Sequence, residues 1–144
     1  MLVFDTNVLI YAADPDSEFH QPCLSLLDEA RSHSSPDFLT WSICYEFMRV
    51  ITHPAIVRAP WSSSEARHYI TTLLESPGFS VLVASNRHRA VLSQTMSEFP
   101  DIRGNVLHDL HTAVLMREHG VSRICTRDTD FYRFPFLQVV DPLR

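Results

Sequence analysis

The sequence predicts an α/β fold, a three-layer α/β/α sandwich around a central, mainly parallel sheet of four or five strands. Short apolar runs rich in Val, Ile, Leu and Phe alternate with longer stretches whose apolar residues recur at helical spacing. Turn residues stand at most of the boundaries between them, and strands alternating with helices imply parallel βαβ units. The 144 residues, 45% hydrophobic and 20% charged, suffice for one buried core and carry no disorder signature. Residues 1–144 therefore read as a single domain, with no internal repeat, low-complexity tract or linker.

The chain opens on a short strand, Leu2 to Phe4, followed by a brief helical turn around Asn7 to Ala12 that Asp14-Pro15-Asp16-Ser17 breaks. A helix is expected from about Glu18 to Arg31, with Cys23, Leu24 and Leu27 inward. After the loop Ser34-Ser35-Pro36-Asp37, Phe38 to Trp41 reads as a second strand. Ser42 is the expected N-cap of the next helix. In that helix Ile43, Phe47, Val50 and Ile51 recur at i, i+4, i+7 and i+8, and His53-Pro54 stops it. Ser62 and Glu65 form a capping-box pattern for a helix to about Glu75, ended by Pro77-Gly78. Phe79 to Ala84 is the third strand. Asn86 is the expected cap of a helix carrying Leu92, Met96 and Phe99. Arg103-Gly104-Asn105 introduces a helix with Val106, Leu110, Ala113 and Val114 inward, and Gly120 stops it. Val121 to Thr126 and Leu137 to Val140 complete the strands.

Cys23, Cys44 and Cys125 are odd in number, widely spaced and without a metal-ligand pattern, which points to reduced structural thiols in the cytosol. No signal peptide is evident, and no apolar stretch approaches the roughly 20 residues that span a bilayer. The formal net charge is −5, and all 12 basic residues are Arg. Nucleic-acid binders usually carry a basic face. Here five acids equal the whole of the excess charge: Asp5, Glu46, Asp109, Asp128 and Asp130.

Those five carry the functional signal. Asp5 follows the first strand, and Asp128 and Asp130 follow the apolar run Ile124-Cys125. Glu46 and Asp109 sit on amphipathic helices, each one turn from an inward residue (Val50 and Ala113). In parallel α/β sheets the site lies outside the carboxyl ends of the strands. Carboxylates gathered there repel one another unless a hard divalent cation holds them, and Mg²⁺ takes such oxygen ligands together with substrate phosphates. The reading is a metal-dependent phosphodiesterase site. Taken singly each acid has a plainer role: Asp5 as a helix cap, Glu46 paired to Arg49 at i+3, Asp128 and Asp130 as turn residues. Asp109 has the least ordinary place, because a carboxylate at the edge of a buried face is costly unless paired or metal-bound. His108 and His111 flank Asp109 without completing a zinc pattern. Arg87-His88-Arg89 reads as a solvated cluster.

The motifs resemble those of the PIN-domain nucleases, and in particular the VapC-type toxins of bacterial toxin–antitoxin modules, over nearly the whole chain. Met1 to Ile10 is similar to the family's opening strand with its first acid, Asp5. Glu46, ahead of Arg49-Val50-Ile51-Thr52-His53-Pro54, occupies the place of the second. Arg103-Gly104-Asn105 through Asp109 to Gly120 resembles the helix of the third, and Thr126 to Phe131 the fourth motif. Leu110 departs from the small Ala common after the third acid, and the gap between Asp5 and Glu46 is long.

The resemblance implies a PIN-like fold and a Mg²⁺- or Mn²⁺-dependent endoribonuclease. Asp5, Asp109 and Asp128 are then metal ligands, Asp130 a further one, and Glu46 the residue that holds a metal-bound water or positions the attacking one. Thr6, Asn7 and Thr126 are candidate donors that orient the carboxylates. The implied partners are an RNA substrate, a VapB-type antitoxin that occludes the site, and a second copy of the chain. An apolar groove near Phe19, Leu26 and Phe47 is the expected seat for an antitoxin helix. Transfer, ribosomal and messenger RNA are all open as targets, since no base-reading module is evident. The alternatives are an aspartyl-phosphate phosphatase, which needs a second Asp where this chain has Asn7, and a PIN-like scaffold that binds RNA or a partner without cutting.

Overall fold

The computed structural model describes residues 1–144. Its strands are β1 (Val3–Phe4), β2 (Asp37–Thr40), β3 (Phe79–Leu82), β4 (Arg123–Cys125) and β5 (Gln138–Val140). All pair in parallel, in the spatial order β3-β2-β1-β4-β5. The helices are α1 (Thr6–Ala13), α2 (His20–Arg31), α3 (Trp41–Ile51), α4 (Ser63–Glu75), α5 (His88–Glu98) and α6 (Val106–His119), with a 3₁₀ turn at Thr129–Arg133.

Short as it is, β1 holds the centre because both its residues are apolar and at most 1% exposed, as a strand covered on both faces requires. The chain steps outward from β1 through β2 to β3, then crosses back to β4 and β5 on the other side. Right-handed crossovers put helices α1 to α4 on one face and α5 and α6 on the other. The strand order therefore reverses between β1 and β4, whose carboxyl ends stand side by side: Val3 pairs with Ile124 and Phe4 with Cys125. This is the switch point at which open α/β sheets form a crevice.

Local sequence decides most boundaries. Asp5 caps α1, and the turn expected at Asn7 to Ala12 is a helix of eight residues. Ser62 and Glu65 complete their capping box. Gly120 ends α6 at φ 70°, a left-handed conformation that favours glycine. Gly78 is required for another reason: a Cβ there would lie 1.8 Å from the Ala30 carbonyl oxygen.

Several expectations need correction. The cap of α3 is Thr40, whose hydroxyl accepts from the Ile43 N–H at 3.2 Å. Ser42 is displaced from that role because Trp41 already belongs to the helix, not to β2. Asn86 does not cap α5; the helix starts at His88, and Ser85 Oγ accepts from the Arg87 N–H instead. Met96 faces solvent, while Val91 and Thr95 are fully turned inward and Leu92 and Phe99 pack on the core half-buried. Phe47 lines no groove: it is fully buried, stacked on Tyr69 at 5.1 Å and met by the edge of Trp61 at 6.0 Å. The apolar groove of this region runs instead between α2 and α4, a cavity of about 360 Å³ walled by Leu24, Leu27, Trp61, Tyr69 and Leu73. Phe19 packs away from it, on Tyr11 and under the Arg127 guanidinium. Leu110 is buried, a packing residue as expected.

Candidate active site

The two loops that leave β1 and β4 are stitched together at the switch point, and the stitching fixes Asp5. Its Oδ1 accepts from the Thr6 N–H at 2.8 Å. Its Oδ2 accepts from Thr126 Oγ1 at 2.7 Å and from Asn7 Nδ2 at 3.2 Å. Thr126 Oγ1 in turn accepts from Asn7 Nδ2 at 3.0 Å and from the Asp128 N–H at 2.9 Å. One hydroxyl thus donates once and accepts twice, its full capacity. The Thr6 hydroxyl points elsewhere, to the Ile43 carbonyl at 3.5 Å, so Thr6 orients Asp5 through its backbone.

Asp128 caps the 3₁₀ turn, its Oδ1 accepting from the Asp130 N–H at 2.9 Å. Asp130 follows in the first turn, with Arg133 Nε 3.9 Å from its Oδ1. Asp109 comes from the first turn of α6, on the opposite face of the sheet from Glu46 on α3. These acids converge on a cleft of about 760 Å³, bounded by Asp5, Glu46, Asp109, Asp128 and Asp130. Glu46 is exposed and 3.8 Å from Arg49, so both the ion pair and a place at the cleft hold for it.

Burial and like charges act in the same direction on these acids. Burial pushes the Asp5 carboxyl up to about 6, against the hydrogen bonds from Thr126 and Thr6 and with the help of Asp128 and Glu46. Asp109 is pushed up to about 7, first by burial and then by Asp128, Asp5, Asp130 and Glu46. No protein donor hydrogen-bonds to the Asp109 carboxylate, which leaves its oxygens open to the cleft.

Carboxylate oxygens of Asp109, Asp128 and Asp130 lie within 4.8 Å of one another, the one place where three such side chains gather. An all-oxygen, multiply anionic donor set of this kind suits a hard divalent cation such as Mg²⁺ or Mn²⁺ better than zinc. The histidines stay outside the set. His108 lines the cleft, while His111 Nδ1 bonds Ser42 Oγ at 3.0 Å, and burial and the neighbouring His88 lower its pKa.

Ser42, Tyr45, Arg49, Asn105, His108 and Thr112 also line the cleft, beyond the residues the motifs single out for it. The available signal was spacing: Ser42 and Arg49 lie four before and three after Glu46, and Asn105 and Thr112 lie likewise about Asp109. Arg87-His88-Arg89 is not the solvated cluster that the sequence predicts. His88 in fact bonds Glu118, whose side chain is fully buried, and Arg87 donates to the Glu118 carbonyl at 3.1 Å.

Comparison with known proteins adds an independent line. The PIN domain family profile matches residues 2–137. Ribonuclease VapC37 of Mycobacterium tuberculosis is 31% identical over 134 residues, 93% of this chain and 92% of that one. Ribonuclease VapC48 of the same species is 29% identical over 139 residues, 96% and 95% of the two chains. Among solved structures, the Mycobacterium tuberculosis toxin VapC20, described as cleaving the sarcin–ricin loop, superposes with a TM-score of 0.69 at 16% identity. That match covers 98% of this chain and 100% of that one. VapBC2 from Rickettsia felis, solved bound to a DNA fragment from its promoter, gives 0.64 at 15% identity over 96% of each chain. The two structures share the fold.

Proposed function

This chain belongs to the PIN-domain family, among the VapC ribonucleases, and on that premise we propose that it is a divalent-cation-dependent endoribonuclease hydrolysing RNA phosphodiester bonds. The observation that carries the reading is the convergence of carboxylates from α3, α6 and the ends of β1 and β4 on one cleft. Two of them, Asp5 and Asp109, are pushed up to about 6 and 7.

Asp5, Asp109 and Asp128 would hold the cation, with Asp130 as a further donor. Bound there, Mg²⁺ or Mn²⁺ would activate water, polarise the scissile phosphate and stabilise the leaving 3′ oxygen. The protein's own contribution is orientation. Asn7 and Thr126 lock the rotamer of Asp5, so that its charge is presented to the cleft without rearrangement. Glu46, whose 3.8 Å contact with Arg49 is solvent-exposed, positions the attacking water and accepts its proton.

Purified protein should cleave single-stranded RNA in Mg²⁺ or Mn²⁺ and stop on chelation, and Asp5→Asn should abolish cleavage while the circular dichroism spectrum is retained. Cleavage that persists in excess chelator, or in Asp5→Asn at wild-type rate, overturns the reading.

The same reading makes the chain the toxin of a two-component module, neutralised by a VapB-type antitoxin. The groove between α2 and α4, with Trp61 and Tyr69 in its wall and Asp28, Arg31 and Glu65 on its rim, has the apolar floor and charged edge that a bound amphipathic helix needs. We read residues 1–144 as one domain, acting as a homodimer in the cytoplasm. Three buried cysteines without disulfides suit a reducing compartment. No helix is long and apolar enough to cross a membrane.

A further inference from the structure

One stripe of α3 has no role in the core and none yet in the chemistry. The helix buries Ile43, Cys44, Phe47 and Ile51, which satisfies its packing face completely. Trp41 and Tyr45 are nevertheless large aromatic residues left 50% and 69% exposed. They lie four residues apart, and Arg49 lies four further on, so the three form one ladder along the helix with a rise of about 6 Å per step. Tyr45 and Arg49 line the acid cleft itself, and Trp41 lies one helical turn before Tyr45. The indole, phenol and guanidinium each offer a flat face to a nucleobase.

The charge of the cleft gives this ladder a purpose. A site lined by five acids, on a chain of net charge −5, has little Coulombic attraction for a polyanion. Most of the usual affinity for nucleic acid comes from cations facing phosphates. Stacking is the other source: it is indifferent to net charge and tolerant of sequence, because every base has a π-face. Arg49 is available for it, since its contact with Glu46 is 3.8 Å long and both partners are at least half exposed.

We infer that Trp41, Tyr45 and Arg49 form a stacking track on which unpaired bases of the RNA rest as the strand passes the carboxylates. The inference deepens the ribonuclease reading and rests on it for the identity of the ligand. It assigns these residues to substrate positioning, and it confines productive substrates to strands whose bases are splayed out.

The test uses binding, so that it does not depend on cleavage. The probes are a 12-nucleotide oligoadenylate and an abasic oligomer of the same length, which keeps the phosphates and lacks the bases. Binding is measured in Mg²⁺ with Asp5→Asn in every protein, to keep the oligomer intact. The parent should prefer oligoadenylate, with quenching of tryptophan fluorescence. Trp41→Phe should retain most of the affinity and lose the quenching. Trp41→Ala and Tyr45→Ala should each weaken oligoadenylate binding about tenfold, on the order expected for one stacked base, and leave abasic binding unchanged. Equal affinity of the parent for the two probes, or unaltered oligoadenylate binding by both alanine variants, overturns the inference. So does a loss of binding that sedimentation shows to follow dissociation of a dimer, since the stripe would then be a contact between copies. Stacking without any RNA cleavage by the unmodified chain would sink the ribonuclease reading alone; cleavage with unaltered variants would sink the track alone.

Discussion

Two carboxylates on α6, Asp109 and Glu118, have opposite surroundings, and the contrast separates a structural acid from a site acid. Glu118 has a fully buried side chain, yet it accepts from the Ser85 N–H at 2.9 Å, from Ser85 Oγ at 2.5 Å and from His88 Nδ1. Burial raises its pKa, but the hydrogen bonds from Ser85 and His88 outweigh that and hold it below the ordinary glutamate value. Asp109 is only half-buried, receives no protein donor, faces four other acids, and is pushed up to about 7. The better-buried acid is the more comfortable one. Desolvation alone therefore does not mark a site; unpaired charge gathered with like charge does.

The largest expected effects break the comparison at each end. Asp109→Asn should abolish RNA cleavage, a loss greater than the roughly 10- to 100-fold typical of residues that only support metal ligands. It should leave the metal-free protein at least as stable as the wild type, because it removes repulsion. Glu118→Ala should do the reverse: it strands His88 and the Ser85 donors, at a cost of about 3 kcal/mol, and lets α5 loosen from α6. Cleavage at a temperature where that variant remains folded should be close to wild type. Melting curves and cleavage rates on the two variants check both arms. A destabilised Asp109→Asn protein would mean that Asp109 is paired in a way its surroundings do not suggest.

Stability against pH carries the same contrast with a smaller amplitude. Asp5 and Asp109 bind protons more tightly in the folded chain than in the unfolded one, where an aspartate titrates near 3.8. Their contribution is fully present below about pH 4 and is lost as pH rises through about 6 for Asp5 and about 7 for Asp109. For buried Asp5 the change is on the order of 3 kcal/mol. Glu118 has the opposite sign: its contribution is present above the unfolded glutamate value near 4.5 and is lost as pH falls through its lowered pKa. Chelated protein should therefore melt at a higher temperature at pH 5 than at pH 7.5. Mg²⁺ should flatten the slope by stabilising the form with ionised carboxylates, which prevails at pH 7.5, by about 2.7 kcal/mol at a hundred times its dissociation constant. A chelated protein whose melting temperature rises from pH 5 to pH 7.5 would show that the clustered acids do not govern its stability.

The fold was legible because apolar runs mark most strands and most helices have one buried stripe, α6 being the exception with Thr112 to Met116 all buried. The acids were legible because Asp5 and Asp128 follow apolar strands and Glu46 and Asp109 border apolar stripes. What stayed hidden depends on contacts distant in sequence. Thr126 and Asn7 were legible as donors to the carboxylates, but not that the Thr126 hydroxyl would bridge Asp5 and Asn7, 121 and 119 residues away. Glu118 reads as an ordinary polar residue near a helix end until β3 and α5 bring Ser85 and His88 over it. The cap of α3 was misplaced for a local reason: Thr40 and Ser42 are both good caps, and the choice between them depends on whether Trp41 is strand or helix.

The finest test lies within the last acidic motif, where Asp128 and Asp130 differ in how firmly they are held. Both contribute to the triplet with Asp109, within 4.8 Å. Asp128 has one oxygen fixed by the Asp130 N–H and follows directly on the network of Thr126. Asp130 has no such hydrogen bond on its carboxylate and has Arg133 as a competing partner at 3.9 Å. Of the two, Asp128 also acts more strongly on the pKa of Asp109. Asn in place of Asp128 preserves the cap and removes only the charge, so the substitution isolates the electrostatic role. Asp128→Asn should cost cleavage severely at every cation concentration. Asp130→Asn should cost about tenfold, the low end for residues that support a metal site, and should recover most of it as Mg²⁺ is raised. Cleavage rates across a Mg²⁺ titration distinguish the two. If Asp130→Asn is the more damaging and cation does not restore it, Asp130 is the principal ligand and Asp128 serves mainly as the cap that presents it.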